Sequence, residues 1–182
     1  MSAETKRLFL GLPLPVDCAE TLLAAVAERC AGGPLQCYQP ADMHLTVRFL
    51  ADVPIDRVDR IIERVDAAIK QCKAPTVELS AIHFFSGRHH HLMVVLAKLS
   101  LELALLYRTV NAALVDCGFE LDKRPFRPHV TVMRNARDID VTEERLEQRF
   151  TSPELILYET VNAEGLRYRP LRRFDLLPSL AP

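Results

Sequence analysis

Two short segments of the chain pair a histidine with a threonine two residues further on. Residues 44–47 read His-Leu-Thr-Val, and residues 129–132 read His-Val-Thr-Val. Side chains alternate between the two faces of a β-strand, so each segment carries an imidazole and a hydroxyl on one face. Histidine changes its charge near neutral pH, and two histidines can share the acid and base steps of one reaction. The two segments therefore predict a site for acid–base chemistry.

The aliphatic faces of the same segments predict how the polar faces are oriented. Leu45, Val47 and Phe49 in the first segment, and Val130 and Val132 in the second, form faces apolar enough to be buried. The polar faces should then turn away from the core and toward each other. The four side chains of the predicted catalytic group are His44, Thr46, His129 and Thr131. The alternative interpretation is that each histidine merely lines its strand.

Composition places the chain among ordinary globular proteins. It has 182 residues, of which 49% are hydrophobic and 26% charged, and we expect one domain over residues 1–182, built from two lobes. The five cysteines are scattered and lack a C-x-x-C pair, which favours a reduced, cytoplasmic protein without a disulfide framework or structural zinc. Pro13 and Pro15 interrupt the first apolar stretch, so we expect no signal peptide. No apolar run reaches the length of a membrane span.

Positive charge is concentrated around the second segment. Five cations and no acid lie between Lys123 and Arg137, and four arginines follow between Arg167 and Arg173. These clusters are either a solvated face or an electrostatic guide for a phosphate-bearing ligand. Arg48 shares a predicted face with Thr46, as a site cation or as half of a salt bridge.

The elements that must position these residues follow from periodicity and from capping signals. Asp17 with Glu20 resembles a capping box, and Ser100 can cap a helix that Gly118 ends. The predicted strands are 7–13, 43–50, 76–85, 91–98, one beginning near residue 129, 154–162 and 173–177. The predicted helices are one opening at Asp17 and ending at Gly32-Gly33, one over 55–72, one from Ser100 to Gly118, and a short one from Thr142 to before Pro153.

This order lacks a regular strand–helix–strand alternation and favours the α+β class. We expect antiparallel-rich sheets in two pseudo-symmetric lobes, with helices on the outer faces and the two His-x-Thr segments in a central groove. A turn through Ser86-Gly87-Arg88 should join two of the strands. The run His89-His90-His91 does not predict a metal site, because adjacent side chains of a strand point in alternating directions. We expect no cofactor.

The sequence resembles the 2H phosphoesterases, and within them the RNA 2′,3′-cyclic phosphodiesterases, also called 2′-5′ RNA ligase-like proteins. The segments that carry the resemblance are Arg7-Leu8-Phe9 with Pro15, residues 44–50, residues 126–134, and Gly165, Tyr168 and Leu171. Departures are local: a valine follows each threonine where leucine is commoner, Ala51 replaces a usual glycine, and Thr160 stands where the family often has serine.

The resemblance implies metal-independent hydrolysis of RNA 2′,3′-cyclic phosphate ends to 2′-phosphates, and we expect the protein to be a monomer. The resemblance also implies that His44 is the general acid and His129 the base, while Thr46 and Thr131 bind the nonbridging oxygens. The candidates for binding the substrate are Phe9, Arg48, Arg127, Arg134 and Tyr168. Tyr168 either stacks on a nucleobase or covers the edge of the core. Ligation to 2′-5′ bonds at the same site, nucleotide or RNA binding without turnover, and a nonenzymatic interaction role remain alternatives.

Overall fold

The computed structural model describes residues 4–27, 37–86, 91–122, 124–134, 145–163 and 166–179. The strands are β1 (Thr5–Pro13), β2 (His44–Pro54), β3 (Thr76–Ser86), β4 (His91–Ala97), β5 (His129–Arg134), β6 (Arg145–Thr151), β7 (Glu154–Ala163) and β8 (Leu166–Asp175). The helices are α1 (Val16–Ala27), α2 (Val58–Ile69) and α3 (Leu101–Val115), and short 3-10 turns cover Pro40–Asp42 and Ile55–Arg57.

All the named strands lie in one eight-stranded sheet, and each neighbouring pair is antiparallel. The order is β6-β3-β4-β5-β2-β1-β7-β8. At the centre, β2 and β5 pair through Leu45 and Val130 alone. The sheet therefore consists of two four-stranded halves with a narrow junction: the first half-sheet is β8-β7-β1-β2, and the second is β5-β4-β3-β6. The expected antiparallel α+β fold is confirmed, with one continuous sheet in place of separate ones.

The predictions of α2 and α3 are confirmed, and the residues that predicted them are buried or cap the helices as expected. Buried residues recur at helical spacing in α2, where Ile61 and Val65 have no exposed surface. Ser100 caps α3 by accepting a hydrogen bond from the Leu103 amide at 3.2 Å. Gly118, just beyond α3, has φ +86, which glycine adopts without steric cost. The two helices pack against each other, and α3 also contacts β2 and β3, one from each half-sheet.

The helix predicted between Thr142 and Pro153 is wrong over the described residues of that segment. Arg145–Thr151 forms the edge strand β6, which pairs with β3 from Thr76↔Thr151 to Ala81↔Arg145. The ladder with a distant strand overrides the local helical pattern. The last strand, β8, also begins at Leu166 rather than near residue 173.

Other boundaries differ less from the predictions. The helix α1 begins at Val16, which places Asp17 inside the first turn. Gly32-Gly33, Thr142 and the Gly87-Arg88 part of the predicted turn lie outside the described residues. Within the part of the chain that the structure describes, no helix is long and apolar enough to cross a membrane, and no two cysteines form a disulfide.

Irregular pairing between β1 and β2 places Arg48 and Phe49 on the opposite faces of β2 from those predicted. The register shifts between Leu10 and Gly11, where the partners are Arg48 and Thr46, and it shifts again between Leu8 and Phe9. An extra residue in a ladder turns the following side chains to the opposite face. Leu45 and Val47 are buried as predicted, whereas the prediction for Phe49 is wrong because its side chain is 47% exposed.

Candidate active site

The two histidines are held by the same local geometry. The Nδ1–H of His44 donates to the carbonyl oxygen of Asp42 at 2.8 Å, and the Nδ1–H of His129 donates to that of Arg127 at 2.7 Å. In each case the acceptor lies two residues before the histidine. A carbonyl oxygen only accepts hydrogen bonds, so each neutral ring carries its proton on Nδ1 and leaves Nε2 as a proton acceptor. The two histidines of the repeated segments therefore share the same tautomer and the same ring orientation relative to the backbone.

The narrow junction of the sheet places the four predicted side chains together. Leu45 pairs with Val130, and both are fully buried. Because the strands are antiparallel, the residues flanking this pair lie across from each other on the opposite, polar face. This register sets His44 beside Thr131 and Thr46 beside His129. Each imidazole thus has the hydroxyl of the other segment as its cross-strand neighbour.

The environment of His44 favours its neutral form. Burial lowers its pKa to about 4, and the positive charges of His129 and Arg134 act in the same direction, against the hydrogen bond to Asp42. The ring stacks on Phe9 with centroids 4.5 Å apart and meets Tyr168 edge-on at 4.9 Å. These aromatic rings remove water from the imidazole without offering it a counter-charge.

Burial also lowers the pKa of His129, with a further contribution from the charge of Arg127. Its ring meets Phe85 edge-on, with centroids 4.9 Å apart. The guanidinium of Arg127 lies 4.8 Å above the same Phe85 ring. Both histidines are therefore neutral bases at pH 7, and a bound anion would raise the pKa of an imidazole directly beside it.

A groove of about 800 Å³ opens over the first segment and extends across both half-sheets. The described side chains that line it include His44, Thr46, Thr131, Tyr38, Arg134 and Tyr168. Its volume is typical of a site for a small ligand or for the end of a chain. His129 is not among the described lining residues and adjoins the groove through the β2–β5 junction.

A cluster of tyrosines and arginines forms one wall of this groove. Arg134 donates hydrogen bonds to the hydroxyls of Tyr38 and Tyr168, and the Tyr168 hydroxyl donates to that of Tyr38 at 3.2 Å. The guanidinium of Arg167 lies 5.3 Å above the Tyr38 ring. Two cations are thus fixed beside the histidines, where they can bind an anionic group.

Three further residues, not predicted from the sequence, contribute to the site. The hydroxyl of Tyr38 accepts a hydrogen bond from Arg134, and no local sequence pattern around Tyr38 predicts this role. Asp42, only 4% exposed, accepts a hydrogen bond from the Arg167 amide at 3.3 Å on its carboxylate. A Cβ on Gly11 would lie 3.3 Å from Cδ2 of His44. Of these, only Asp42 had a usable signal, its position two residues before His44.

The predicted substrate-binding residues separate into two groups. Arg134 and Tyr168 line the groove, although Tyr168 is only 8% exposed. Phe9 also borders it but is 2% exposed and lies against His44, so it supports the imidazole more than it offers a surface to a ligand. Arg127 and Arg48 lie outside the described lining of the groove.

Of the two roles predicted for Arg48, a site cation or half of a salt bridge, the structure shows the salt bridge. Its guanidinium donates to the carbonyl oxygen of Glu120 at 2.6 Å and lies 3.4 Å from the carboxylate of Asp122. The register shift after Thr46 turns it away from the face of that residue. Arg48 therefore anchors the segment that follows α3.

The second arginine cluster is largely neutralised by neighbouring acids. Arg169 pairs with Glu159, Arg173 with Glu154, and Arg172 with Asp66. Arg167, by contrast, lines the groove. Most of this cluster is thus a paired surface, and its contribution to the groove comes from Arg167.

Comparisons with known proteins agree on one family. A model described as the 2′-5′ RNA ligase superfamily matches residues 13–162. An RNA 2′,3′-cyclic phosphodiesterase of Escherichia coli K12 is 27% identical over 180 residues, covering 96% of this chain and 98% of the relative. One from Geobacillus stearothermophilus is 26% identical over 179 residues, covering 93% of this chain but 57% of the relative. The chain thus spans little more than half the length of that relative.

The fold is also found among solved structures. The crystal structure of Escherichia coli LigT complexed with 3′-AMP superimposes with a TM-score of 0.81 at 23% identity, covering 95% of this chain and 99% of LigT. The antiparallel sheet with a few packed helices is therefore an established architecture.

Proposed function

The chain belongs to the 2′-5′ RNA ligase superfamily, and from this we propose that it hydrolyses the 2′,3′-cyclic phosphate ends of RNA to 2′-phosphomonoesters. The observation that carries the proposal is the pair of histidines with matching tethers, each set beside the threonine of the other segment. The curated relatives named RNA 2′,3′-cyclic phosphodiesterase support the choice of substrate. The arrangement offers a base, an acid and two hydroxyl donors around one small centre.

The reaction needs one proton acceptor and one proton donor on opposite sides of the phosphorus. His129 Nε2 takes a proton from water while the water oxygen forms a bond to phosphorus. The bond from phosphorus to the ribose 3′ oxygen breaks, and His44 Nε2 gives that oxygen a proton. The hydroxyls of Thr46 and Thr131 donate to the nonbridging oxygens, where negative charge accumulates. After product leaves, a proton moves from His129 to solvent and another returns to His44.

The pKa shifts fit these roles once substrate is bound. His129 must be neutral to act as a base, and its lowered pKa keeps it neutral at pH 7. His44 must be protonated to act as an acid, whereas burial lowers its pKa to about 4. The phosphate monoanion adjacent to His44 raises that pKa, because an opposite charge favours the imidazolium. Binding of the substrate thus favours protonation of His44, the general acid.

Arg134 supplies electrostatic stabilisation from the groove wall. Its guanidinium is fixed by two tyrosine hydroxyls and does not need to reorganise during the reaction. Its positive charge offsets the negative charge of the phosphoryl oxygens.

The decisive assay uses an oligonucleotide with a 2′,3′-cyclic phosphate end in excess EDTA. We expect turnover in the chelator, a 2′-phosphate product and a bell-shaped pH profile. His44→Ala and His129→Ala should each lower kcat by about 10²- to 10⁴-fold. Unchanged turnover in both variants, or strict dependence on an added metal, contradicts the mechanism. Product analysis separates hydrolysis from 2′-5′ ligation and from binding without turnover.

A substrate with sulfur in place of the 3′ oxygen assigns the two roles. A thiolate leaves without a proton, since a thiol has a pKa of about 8.5. This substrate should restore turnover to His44→Ala but not to His129→Ala. Rescue of His129→Ala instead would reverse the assignment, and the pattern of rescue distinguishes acid from base independently of the size of each loss.

A further inference from the structure

The side chain of Phe49 projects into the groove at a distance from the proposed reaction centre. It lines the same cavity as Thr46 and is 47% exposed, although β2 is a central strand of the sheet. The β1 partners of Thr46 and Phe49 are Gly11 and Phe9, which are two residues apart, so the backbone of Phe49 lies about 7 Å along the sheet from the threonine that would bind the phosphate. An exposed ring at this position is available to something larger than a cyclic phosphate.

The backbone around Phe49 is irregular on both sides of the ring. The register shifts in β2 turn the ring out of the core, and Ala51 has φ +58. Residues other than glycine rarely adopt this left-handed conformation. Strain of this kind persists at functional sites more often than elsewhere. The exposed ring thus lies on an irregular segment of β2 that ends in an unfavourable backbone conformation.

A cation accompanies the ring. The guanidinium of Arg7 lies 4.8 Å from the centroid of the Phe49 ring, and its side chain is 51% exposed and also lines the groove. Its ion pair with Asp52, at 3.7 Å, is solvent-exposed and contributes little. A guanidinium binds phosphate oxygens and also stacks on planar groups. Phe49 and Arg7 together offer a flat apolar surface and a phosphate ligand side by side.

We propose that Phe49 and Arg7 bind the nucleotide on the 5′ side of the one that carries the cyclic phosphate. The base stacks on the ring or on the outer plane of the guanidinium, and the linking phosphodiester contacts Arg7. The cyclic phosphate closes the 3′ end of an RNA, so any second nucleotide extends in the 5′ direction. This inference rests on the proposed function and deepens it: the preferred substrate is an oligonucleotide of at least two residues, with no base preference at that position.

The kinetic test compares two substrates, a nucleoside 2′,3′-cyclic phosphate and a dinucleotide with the same end. The ratio of kcat/KM for the dinucleotide to that for the mononucleotide should exceed one, and Phe49→Ala should lower this ratio about 5- to 150-fold. Phe49→Tyr keeps the aromatic face and should keep the ratio. Leu105→Ala, which removes an apolar side chain that is 50% exposed on α3, is the matched control and should leave the ratio unchanged.

A binding test reports stacking without turnover. The probe is a dinucleotide with 2-aminopurine at the 5′ position and a 2′-phosphate end, whose fluorescence falls when the base stacks. The wild type should quench the probe and Phe49→Ala should not. A ratio equal in the wild type and Phe49→Ala overturns this inference and leaves the proposed function intact. If the wild type turns over neither substrate, the proposed function fails. In that case quenching by the wild type but not by Phe49→Ala would still support a nucleotide-binding site at Phe49, and no difference in quenching would overturn it.

Discussion

Acidification should destabilise the protein through His44. The pKa of this imidazole is about 4 in the folded chain and about 6.5 in an unfolded one. The unfolded state therefore binds the proton more tightly, and the free energy of unfolding falls as the pH drops below 6.5. With these values the loss from His44 alone is about 2 kcal/mol at pH 5 and about 3 kcal/mol at pH 4, where it levels off.

The measurement is urea unfolding of the wild type and His44→Gln at pH 7 and pH 5. The chain has no tryptophan, so far-UV circular dichroism is the suitable signal. Glutamine does not titrate, and the loss of stability between the two pH values should be about 2 kcal/mol smaller in His44→Gln. Contributions from the carboxylates cancel in this comparison, and that of His129 cancels apart from its electrostatic coupling to His44.

Thr46→Val is the matched control for this experiment. It alters the same face of β2 and keeps the imidazole, so it should show the full loss of the wild type. Equal losses in the wild type and His44→Gln would refute the reasoning, because they would mean that the folded protein does not hold this histidine neutral. An NMR titration of the His44 ring, assigned by its absence from His44→Gln, should give the same lowered pKa.

Three further substitutions test the geometry around the site. Gly11→Ala should lower kcat/KM about tenfold, because the new Cβ would lie 3.3 Å from both Cδ2 of His44 and the carbonyl oxygen of Leu45 and so displaces the His44 ring by a few tenths of an ångström; full activity would contradict the close approach. Ala51→Gly should raise the free energy of unfolding by up to about 1 kcal/mol in urea, since glycine tolerates φ +58. Tyr38→Phe should lower kcat/KM about tenfold in steady-state assays by releasing Arg134, and wild-type kinetics would remove this tyrosine from the site.

The sequence predicted the elements whose signals are local. The cap at Ser100, the stop at Gly118 and the helical spacing of apolar residues in α2 each depend on residues a few positions apart. The two His-x-Thr faces also follow from period-two alternation within one strand. These features need no knowledge of the partner strand.

Features that depend on distant partners could not be predicted in this way. The face of Arg48 and Phe49 is set by an extra residue in the β1–β2 ladder, which alternation within β2 alone does not reveal. The strand β6 exists because β3 offers it an edge. Tyr38 joins the site through a hydroxyl that meets Arg134, 96 positions away in the chain.

The narrow junction between the half-sheets makes α3 the frame of the reaction centre. Besides the Leu45–Val130 pair, the segment before β2 bonds to β5 through the Tyr38 N–H and the Val132 carbonyl oxygen at 2.9 Å, so few backbone hydrogen bonds set the spacing of β2 and β5. Instead, α3 contacts both half-sheets, and its Tyr107 stacks on Phe126, just before the second histidine, at 4.1 Å. A substitution that alters the packing of α3 should thus change the spacing of the two imidazoles from the far side of the sheet, with every groove residue unchanged.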